Sequence, residues 1–193
     1  MSPSLDELHA AFMRLLPPAG LNGPGNAGLP SGTEPAQSGA GPESGASSTV
    51  PTSTSPVPEP TPCRLVDPKL KGYHLDATVV PDQVVAAAEL LDQHGFAIDT
   101  VTGVDWMAAG QMEIVYDFFH LTAPLQVVVR TRVPRDRPEL PTISKVFPGA
   151  NWHERETHDF FGIRFLGHPN LSPLLLPEDA TYHPLRKDFA GAA

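Results

Sequence analysis

Histidine and acidic side chains concentrate in one stretch of this sequence, between residues 153 and 168. A zinc protease would need the pattern H-E-x-x-H, which places two histidines on one face of a helix. Here His153 and His158 are five residues apart, so their rings would point about 140° apart and could not share a metal ion. Glu154, His158 and His168 form an incomplete ligand set, which leaves a metal hydrolase open as one alternative. A surface ion pair between Glu154 and His158 is the commoner arrangement.

Two further patterns could carry chemistry. Gly23, Gly25 and Gly28 have the G-x-G-x-x-G spacing of a dinucleotide site, but that site needs a strand before the glycines and a helix after them. Neither is expected here, so we predict no nucleotide binding. Asp105 and Trp106 end a predicted strand and could form a catalytic acid beside an aromatic wall. A strand-ending turn with a core tryptophan is the more common meaning of such a pair.

Composition and charge exclude several classes of protein. The formal net charge is −9, which argues against a nucleic-acid partner because such binding needs a basic surface. Cys63 is the single cysteine of the chain, so neither an internal disulfide nor a four-cysteine iron–sulfur site is possible. No apolar run approaches the roughly 20 residues that span a bilayer. Met1–Ala19 resembles neither a secretory signal nor a transit peptide. We expect a reducing, cytosol-like compartment.

The hydrophobic pattern predicts an α+β fold with an antiparallel or mixed sheet and helices on one face. Segments in which apolar and polar residues alternate predict strands, two of which form a hairpin. Apolar residues at helical spacing predict helices that end at proline or glycine. The predicted strands are Tyr73–Val80, Phe96–Trp106 with a bend at Gly103, Met112–Leu121 and Leu125–Val133. The predicted helices are Ser4–Leu16, 82–94, a short one at Thr142–Val146, and one that begins after Asn151 and ends at Gly162.

The last of these helices carries its own boundary residues. Asn151 is a suitable N-cap, and Glu154 three residues later has the spacing of a capping box. Gly162 suits the left-handed position that ends a helix. Between these boundaries, Glu154 and His158 are four residues apart, and so are Arg155 and Asp159. This spacing predicts two side-chain ion pairs along the helix.

After residue 169 the sequence changes character. Pro173, Pro177 and Pro184 interrupt a leucine-rich segment, which excludes a helix and predicts an extended arm that binds a partner. Arg186 and Lys187 could bind phosphate, but a solvated or partner-facing tail is the commoner role. The predicted organisation is an N-terminal amphipathic helix at 1–17, a disordered Pro/Gly/Ser-rich linker at 18–62, an α+β domain at 63–169, and a partner-binding arm at 170–193.

Four segments in order resemble a known family: ANWHERETHDFFGI, FLGHPNL, LLPED and HPLRKDF. They are similar to the signature region of the C-type subunits of NADH-quinone oxidoreductase, the family of the 30 kDa subunit of respiratory complex I. The resemblance is strongest from about Leu140 to Phe189. It implies that the signature and partner interface comprise Trp152, Glu154, Arg155, Glu156, Asp159, Phe160, Phe161, Gly162, His168, Pro169, Pro177, His183, Pro184, Arg186, Lys187 and Asp188.

The resemblance implies a non-redox peripheral-arm subunit of a membrane-bound, proton-translocating NADH:quinone oxidoreductase. Catalytic, cofactor-binding and metal-binding residues are then expected to be absent from this chain, with NADH, FMN, iron–sulfur clusters and quinone bound by partner subunits. The expected partner is the quinone-site subunit (49 kDa, D-type), and the expected location is the cytoplasmic side of a prokaryotic cell membrane, reached through the complex only. Ser172-Pro173 and Thr181-Tyr182 depart from the family pattern. A nickel–iron hydrogenase or ferredoxin-linked complex, and a soluble adaptor, therefore remain alternatives.

Overall fold

The computed structural model describes residues 4–16 and 62–191. These residues belong to one compact unit, which comprises Met1–Ala19 and Thr61–Ala193. The predicted disordered linker at 18–62 lies, except for its last residue, outside the described residues. The glycines at 23–28, for which we predict no nucleotide binding, lie outside the described residues as well.

The described residues form helices and strands in mixed order. The helices are α1 Leu5–Leu15, α2 Pro68–Lys71, α3 Val84–Gln93 and α4 Ala150–Phe161, and short 3₁₀ turns lie at Pro81–Gln83 and Met107–Ala109. The strands are β1 Cys63–Leu65, β2 Leu75–Thr78, β3 Phe96–Trp106, β4 Gln111–His120, β5 Gln126–Pro134, β6 Glu139–Pro141 and β7 Arg164–Leu166.

Five strands form the main sheet in the order β1-β2-β5-β4-β3. β2 and β5 run parallel, whereas the other neighbours in this sheet run antiparallel. β6 and β7 form a separate parallel pair. The prediction of an α+β fold with a mixed sheet is confirmed.

The core lies between one face of the sheet and the helices. Strand side chains such as Leu75, Ile114 and Val127 are fully buried in it, together with Leu91 of α3. The opposite face of the sheet carries charged side chains, because residues alternate between the two faces of a strand. There Asp76 accepts hydrogen bonds from Arg64 at 2.9 Å and Arg130 at 3.1 Å, and Glu113 accepts one from Arg132 at 3.1 Å.

Helix α1 is part of this core. Its N-terminus has a capping box, in which the side chains of Ser4 and Glu7 each accept a hydrogen bond from the other's backbone N–H. Serine is one of the residues that form this motif. Leu8 and Phe12 are fully buried in the same cluster as the strand residues. The sequence left open whether this helix is the first element of the fold or a separate docking helix, and the packing shows that it is the first element.

One local prediction was wrong. Residues 142–146 do not form a helix; residues 144–146 form a hydrogen-bonded turn, and the hydroxyl of Thr142 accepts a hydrogen bond from the backbone N–H of Ser144 at 3.0 Å. Such local side-chain bonds compete with helix formation. The pairing of β3 with β4 shifts register between Ile98 and Thr100, and the bend at Gly103 stays a prediction. At Gly103 the ring of Phe161 packs against the backbone, and an added Cβ would lie 2.6 Å from a ring atom.

Candidate partner-binding site

Helix α4 joins the sheet to the C-terminal arm. Its N-cap is Gly149, which has no side chain to cap the helix, so the prediction that Asn151 caps it was wrong. The helix ends at Gly162, as predicted, with the left-handed φ of 73°. Thr157 donates a hydrogen bond to the carbonyl of Val101 at 3.2 Å. This bond ties the helix to β3, which is the edge strand of the sheet.

Glu154 points into the core and does not cap its own helix. Its carboxylate accepts a hydrogen bond from the backbone N–H of Ile143 at 2.8 Å and another from the hydroxyl of Thr142. The side chain is fully buried, and burial raises its pKa to about 7 against the opposing effect of these two hydrogen bonds. Glu154 therefore fastens the 142–144 turn to α4, and it makes no ion pair with His158.

Arg155 points toward the beginning of the arm. Its guanidinium donates hydrogen bonds to the carbonyl of Ser172 at 2.9 Å and to the carbonyl of Pro173 at 2.8 Å. The same group lies 5.7 Å from the centre of the Trp152 ring. The predicted pair between Arg155 and Asp159 does not form, because each of the two side chains binds the backbone of the arm.

Asp159 is the central anchor of the arm. One carboxylate oxygen accepts three backbone N–H groups, from Leu174 at 2.7 Å, Leu175 at 2.8 Å and Leu176 at 3.2 Å. Burial alone would raise the pKa of this carboxyl, but the three N–H groups outweigh it and hold the pKa below its ordinary value. A buried carboxylate satisfied in this way stays ionised and fixes the local backbone.

The second half of the arm binds the C-terminal end of α4. The ring of His183 donates to the carbonyl of Asp159 at 2.8 Å, the N–H of Leu185 donates to the carbonyl of Phe160 at 3.1 Å, and Arg186 donates to the carbonyl of Phe161 at 2.7 Å. These groups satisfy carbonyls that the end of a helix leaves free. The Arg186 side chain is therefore held against the C-terminal end of α4, and its place in a partner interface stays a prediction.

The last part of the arm is fixed at one end of the sheet. Asp105 at the end of β3 accepts two hydrogen bonds from Arg135, at 2.8 and 2.9 Å, and one from the backbone N–H of Lys187 at 2.8 Å. Arg135 also donates to Asp188 at 2.7 Å. The hydrogen bond from Arg135 is the main cause that lowers the pKa of Asp105. Asp105 is therefore held in an ion pair that fixes Arg135 and the arm.

Trp106, predicted to be a core residue, is 44% exposed. Its indole N–H donates to Glu113 at 3.0 Å, and the guanidinium of Arg132 lies 5.1 Å from its ring centre. The ring therefore lies on the charged face of the sheet.

The backbone of the arm faces the domain, whereas several of its large side chains face away. Leu175 is 60% exposed and Leu185 is 52% exposed. Tyr182 and Phe189 are exposed as well, and their rings stack with centres 5.5 Å apart. Pro177 is exposed, whereas Pro184 is partly buried. The arm thus presents four exposed apolar or aromatic side chains on a backbone that α4 and the sheet hold in place.

Comparison with known proteins identifies the family. The family described as the 30 kDa subunit of respiratory-chain NADH dehydrogenase matches residues 77–193, which is more than half of the chain. The chain belongs to this family. Its α4 and its arm lie entirely within the matched region, whereas α1 and β1 lie outside it.

Relatives of this chain include subunits of more than one respiratory complex. The C-type subunit of NADH-quinone oxidoreductase from Moorella thermoacetica is 38% identical over 122 residues, which cover 62% of this chain and 82% of that protein. The C/D-type subunit of NADH-quinone oxidoreductase from Phocaeicola vulgatus is 40% identical over 98 residues, covering 50% of this chain and 19% of that protein. A chain in the structure of the archaeal membrane-bound sulfane sulfur reductase, a respiratory membrane complex, aligns with a TM-score of 0.55 and 30% identity, covering 60% of this chain and 71% of that chain.

His168 is the other histidine of the family signature, and it lies beside α4. One of its ring nitrogens donates to the carbonyl of Asn151 at 3.3 Å, and the other accepts from the N–H of Asn170 at 3.1 Å. The Nε2 atom of His168 lies 3.8 Å from a carboxylate oxygen of Glu154, and burial lowers the pKa of His168. His158 donates to the carbonyl of Ile163 at 2.9 Å. Pro169 follows in an exposed turn.

Within residues 4–16 and 62–191, no group of three or more His, Cys, Asp or Glu side chains is arranged to hold a metal ion. In the same part of the chain, no helix is long and apolar enough to cross a membrane.

Sequence reasoning missed two residues, one that fixes the arm and one that fixes a turn against α4. Arg135 has no partner within four residues in the sequence, so spacing gave no indication of its bonds to Asp105 and Asp188. The sequence pattern predicted a helix at Thr142, although its hydroxyl binds Glu154. In both cases the partner lies on another element, and only the folded chain brings the two together.

Proposed function

We propose that this chain is a non-redox, peripheral-arm subunit of a membrane-bound, proton-translocating NADH:quinone oxidoreductase. Its role is to hold the subunit that contains the quinone site. The observation that carries this proposal is the construction of the arm. Its backbone is bound to α4 through Arg155 and Asp159, while Leu175 and Leu185 face solvent.

Exposed apolar side chains on a fixed backbone are typical of a protein-binding surface. Because the backbone is already ordered, a partner that covers these side chains causes little further loss of conformational freedom in the arm on binding. The proposed partner is the D-type, 49 kDa subunit. The C/D-type relative supports this choice, since its name joins the two subunit types in one protein. Electron transfer between subunits depends on fixed spacing, and a rigid clamp would provide it.

The proposal assigns no catalytic, cofactor-binding or metal-binding residue to this chain. Asp105 and Glu154, the two acidic residues with the most enzyme-like surroundings, are committed to structural hydrogen bonds. The single cysteine, Cys63, is buried, and burial raises its pKa to about 12, so its thiol is unreactive at neutral pH. NADH, FMN, iron–sulfur clusters and quinone would be bound by partner subunits, and the chain would reach the cytoplasmic side of the membrane only through them.

The test is co-purification of the complex in mild detergent from cells that express the full chain or a variant. The double variant Leu175→Ser/Leu185→Ser removes the two most exposed apolar side chains of the arm without changing any backbone anchor. We expect it to remain folded but to lose the other subunits and the quinone reductase activity of the membrane. The matched control is Leu70→Ser on α2, because Leu70 is also exposed, at 82%, but lies outside the arm. Full assembly of the arm variant would refute the proposal.

A second candidate is the equivalent subunit of a complex with a different electron donor or acceptor. The structural similarity to a chain of the sulfane sulfur reductase favours it, and a nickel–iron hydrogenase or ferredoxin-linked complex belongs to the same class. Mass spectrometry of the co-purified chains distinguishes these cases, because an NADH-linked complex contains a flavin subunit that binds NADH. A soluble adaptor would not sediment with membranes at all.

A further inference from the structure

The outer face of α4 contains two signature residues that the arm does not use. Successive positions of a helix point in different directions, and here Glu154 faces the core, while Arg155 and Asp159 face the arm. Trp152 and Glu156, four residues apart, share the remaining face. Trp152 is 64% exposed.

Glu156 differs from its neighbours in the motif. Glu154, Arg155 and Asp159 each make at least two hydrogen bonds to the chain itself. Among residues 4–16 and 62–191, none donates a hydrogen bond to the carboxylate of Glu156 or forms an ion pair with it, although the side chain is partly buried. The indole N–H of Trp152 likewise has no acceptor among these residues.

This face is continuous with the arm. The guanidinium of Arg155 lies 5.7 Å from the ring centre of Trp152 and at the same time binds the carbonyls of Ser172 and Pro173, where the arm begins. A partner that covers the beginning of the arm would reach Trp152 across the guanidinium of Arg155, which contacts both. The carboxylate of Glu156 would then lie at the edge of the buried area.

We propose that Trp152 and Glu156 form a docking point for an arginine side chain of the same neighbouring subunit that covers the arm. The inference rests on the proposed function, because it takes that subunit as the partner. A planar guanidinium can stack on the exposed part of an indole ring and donate two parallel hydrogen bonds to a carboxylate. A tryptophan that a partner buries beside such an ion pair has the composition typical of an interface hot spot.

The experiment uses the full chain in its complex, purified in mild detergent at increasing salt concentration. We expect Glu156→Lys to reduce the co-purifying partner at least about tenfold, because it places like charges together at the interface. Trp152→Ala should give a loss of similar size, and Glu156→Gln a smaller loss with a weaker dependence on salt. Glu89→Lys, on the exposed face of α3, is the matched control and should leave assembly unchanged.

Folding is checked separately by the urea midpoint of the isolated chain, which Glu156→Lys should not change because Glu156 has no partner among the described residues. The inference is wrong if Glu156→Lys and Glu89→Lys assemble equally well while Leu175→Ser/Leu185→Ser still loses the partner. In that case the proposed function stands. If the arm variant also assembles normally, the proposed function itself is wrong.

Discussion

Replacing Asp159 by asparagine should release the first half of the arm while leaving the domain folded. The substitution keeps the size and shape of the side chain but removes its negative charge. One carboxylate oxygen then no longer attracts the three N–H groups of Leu174, Leu175 and Leu176, which lie 2.7 to 3.2 Å from it. A neutral amide oxygen accepts the same hydrogen bonds more weakly.

The size of the effect follows from the number of bonds. A hydrogen bond to a charged group contributes roughly 1 kcal/mol more than one between neutral groups. The three bonds share one acceptor atom and are therefore not additive, so we expect a total loss of about 2 kcal/mol. A loss of this size increases the population of the open arm about 30-fold.

Hydrogen exchange of the backbone amides measures this opening directly. In Asp159→Asn, the amides of residues 174–176 should exchange about 30-fold faster, whereas amides in β4 should keep their rates. Asp179→Asn is the matched control, since Asp179 is an exposed arm residue. Wild-type exchange rates at residues 174–176 in Asp159→Asn would refute the anchoring role. Because the folded pKa of Asp159 is lowered, the wild-type anchor should persist at neutral pH and weaken only as the pH falls through that lowered value.

Three other predictions concern the stability of the isolated chain, measured by urea unfolding. Glu154→Gln should flatten the pH dependence of the free energy of unfolding. Because burial raises the folded pKa of Glu154 from an ordinary 4.5 to about 7, the wild-type stability is highest below pH 4.5 and falls by on the order of 3 kcal/mol as the pH rises to 7. A variant with the same pH dependence as the wild type would contradict this. Asp105→Asn should destabilise by about 3 kcal/mol, because it leaves the largely buried Arg135 without its main partner, and equal midpoints would contradict it. Gly103→Ala should destabilise by about 1–3 kcal/mol, because the new Cβ would lie 2.6 Å from the ring of Phe161, whereas adding Phe161→Leu should restore part of the loss.

The elements of this fold were largely predictable because their hydrophobic patterns are local. Strand Phe96–Trp106 has the predicted ends, and α1 differs from its predicted range by one residue at each end. Both are bounded by residues whose effect is intrinsic, such as the capping serine at position 4 and Gly95 before β3. The predicted strand at 73–80 was too long: β2 comprises Leu75–Thr78.

The arrangement of the site was not predictable in the same way. Asn151 has the sequence features of an N-cap, but the turn at 147–150 already starts the helix at Ala150, so a tertiary constraint overrode the local preference. Arg155 and Asp159 have the spacing of an ion pair, yet carbonyl and N–H groups of the arm bind them more closely. Spacing along a helix reveals which side chains share a face, and it does not reveal which other segment competes for them.

The anchors of the arm have a consequence for the order of events during synthesis. Asp105 ends β3, Arg135 follows β5, and Asp159 lies on α4, so the arm depends on three segments made before it. A nascent chain with unpaired strands therefore has no place to attach the arm, since domains acquire their structure as units. In the proposed complex, the neighbouring subunit would bind only chains that have finished folding, so incompletely folded chains would not be incorporated.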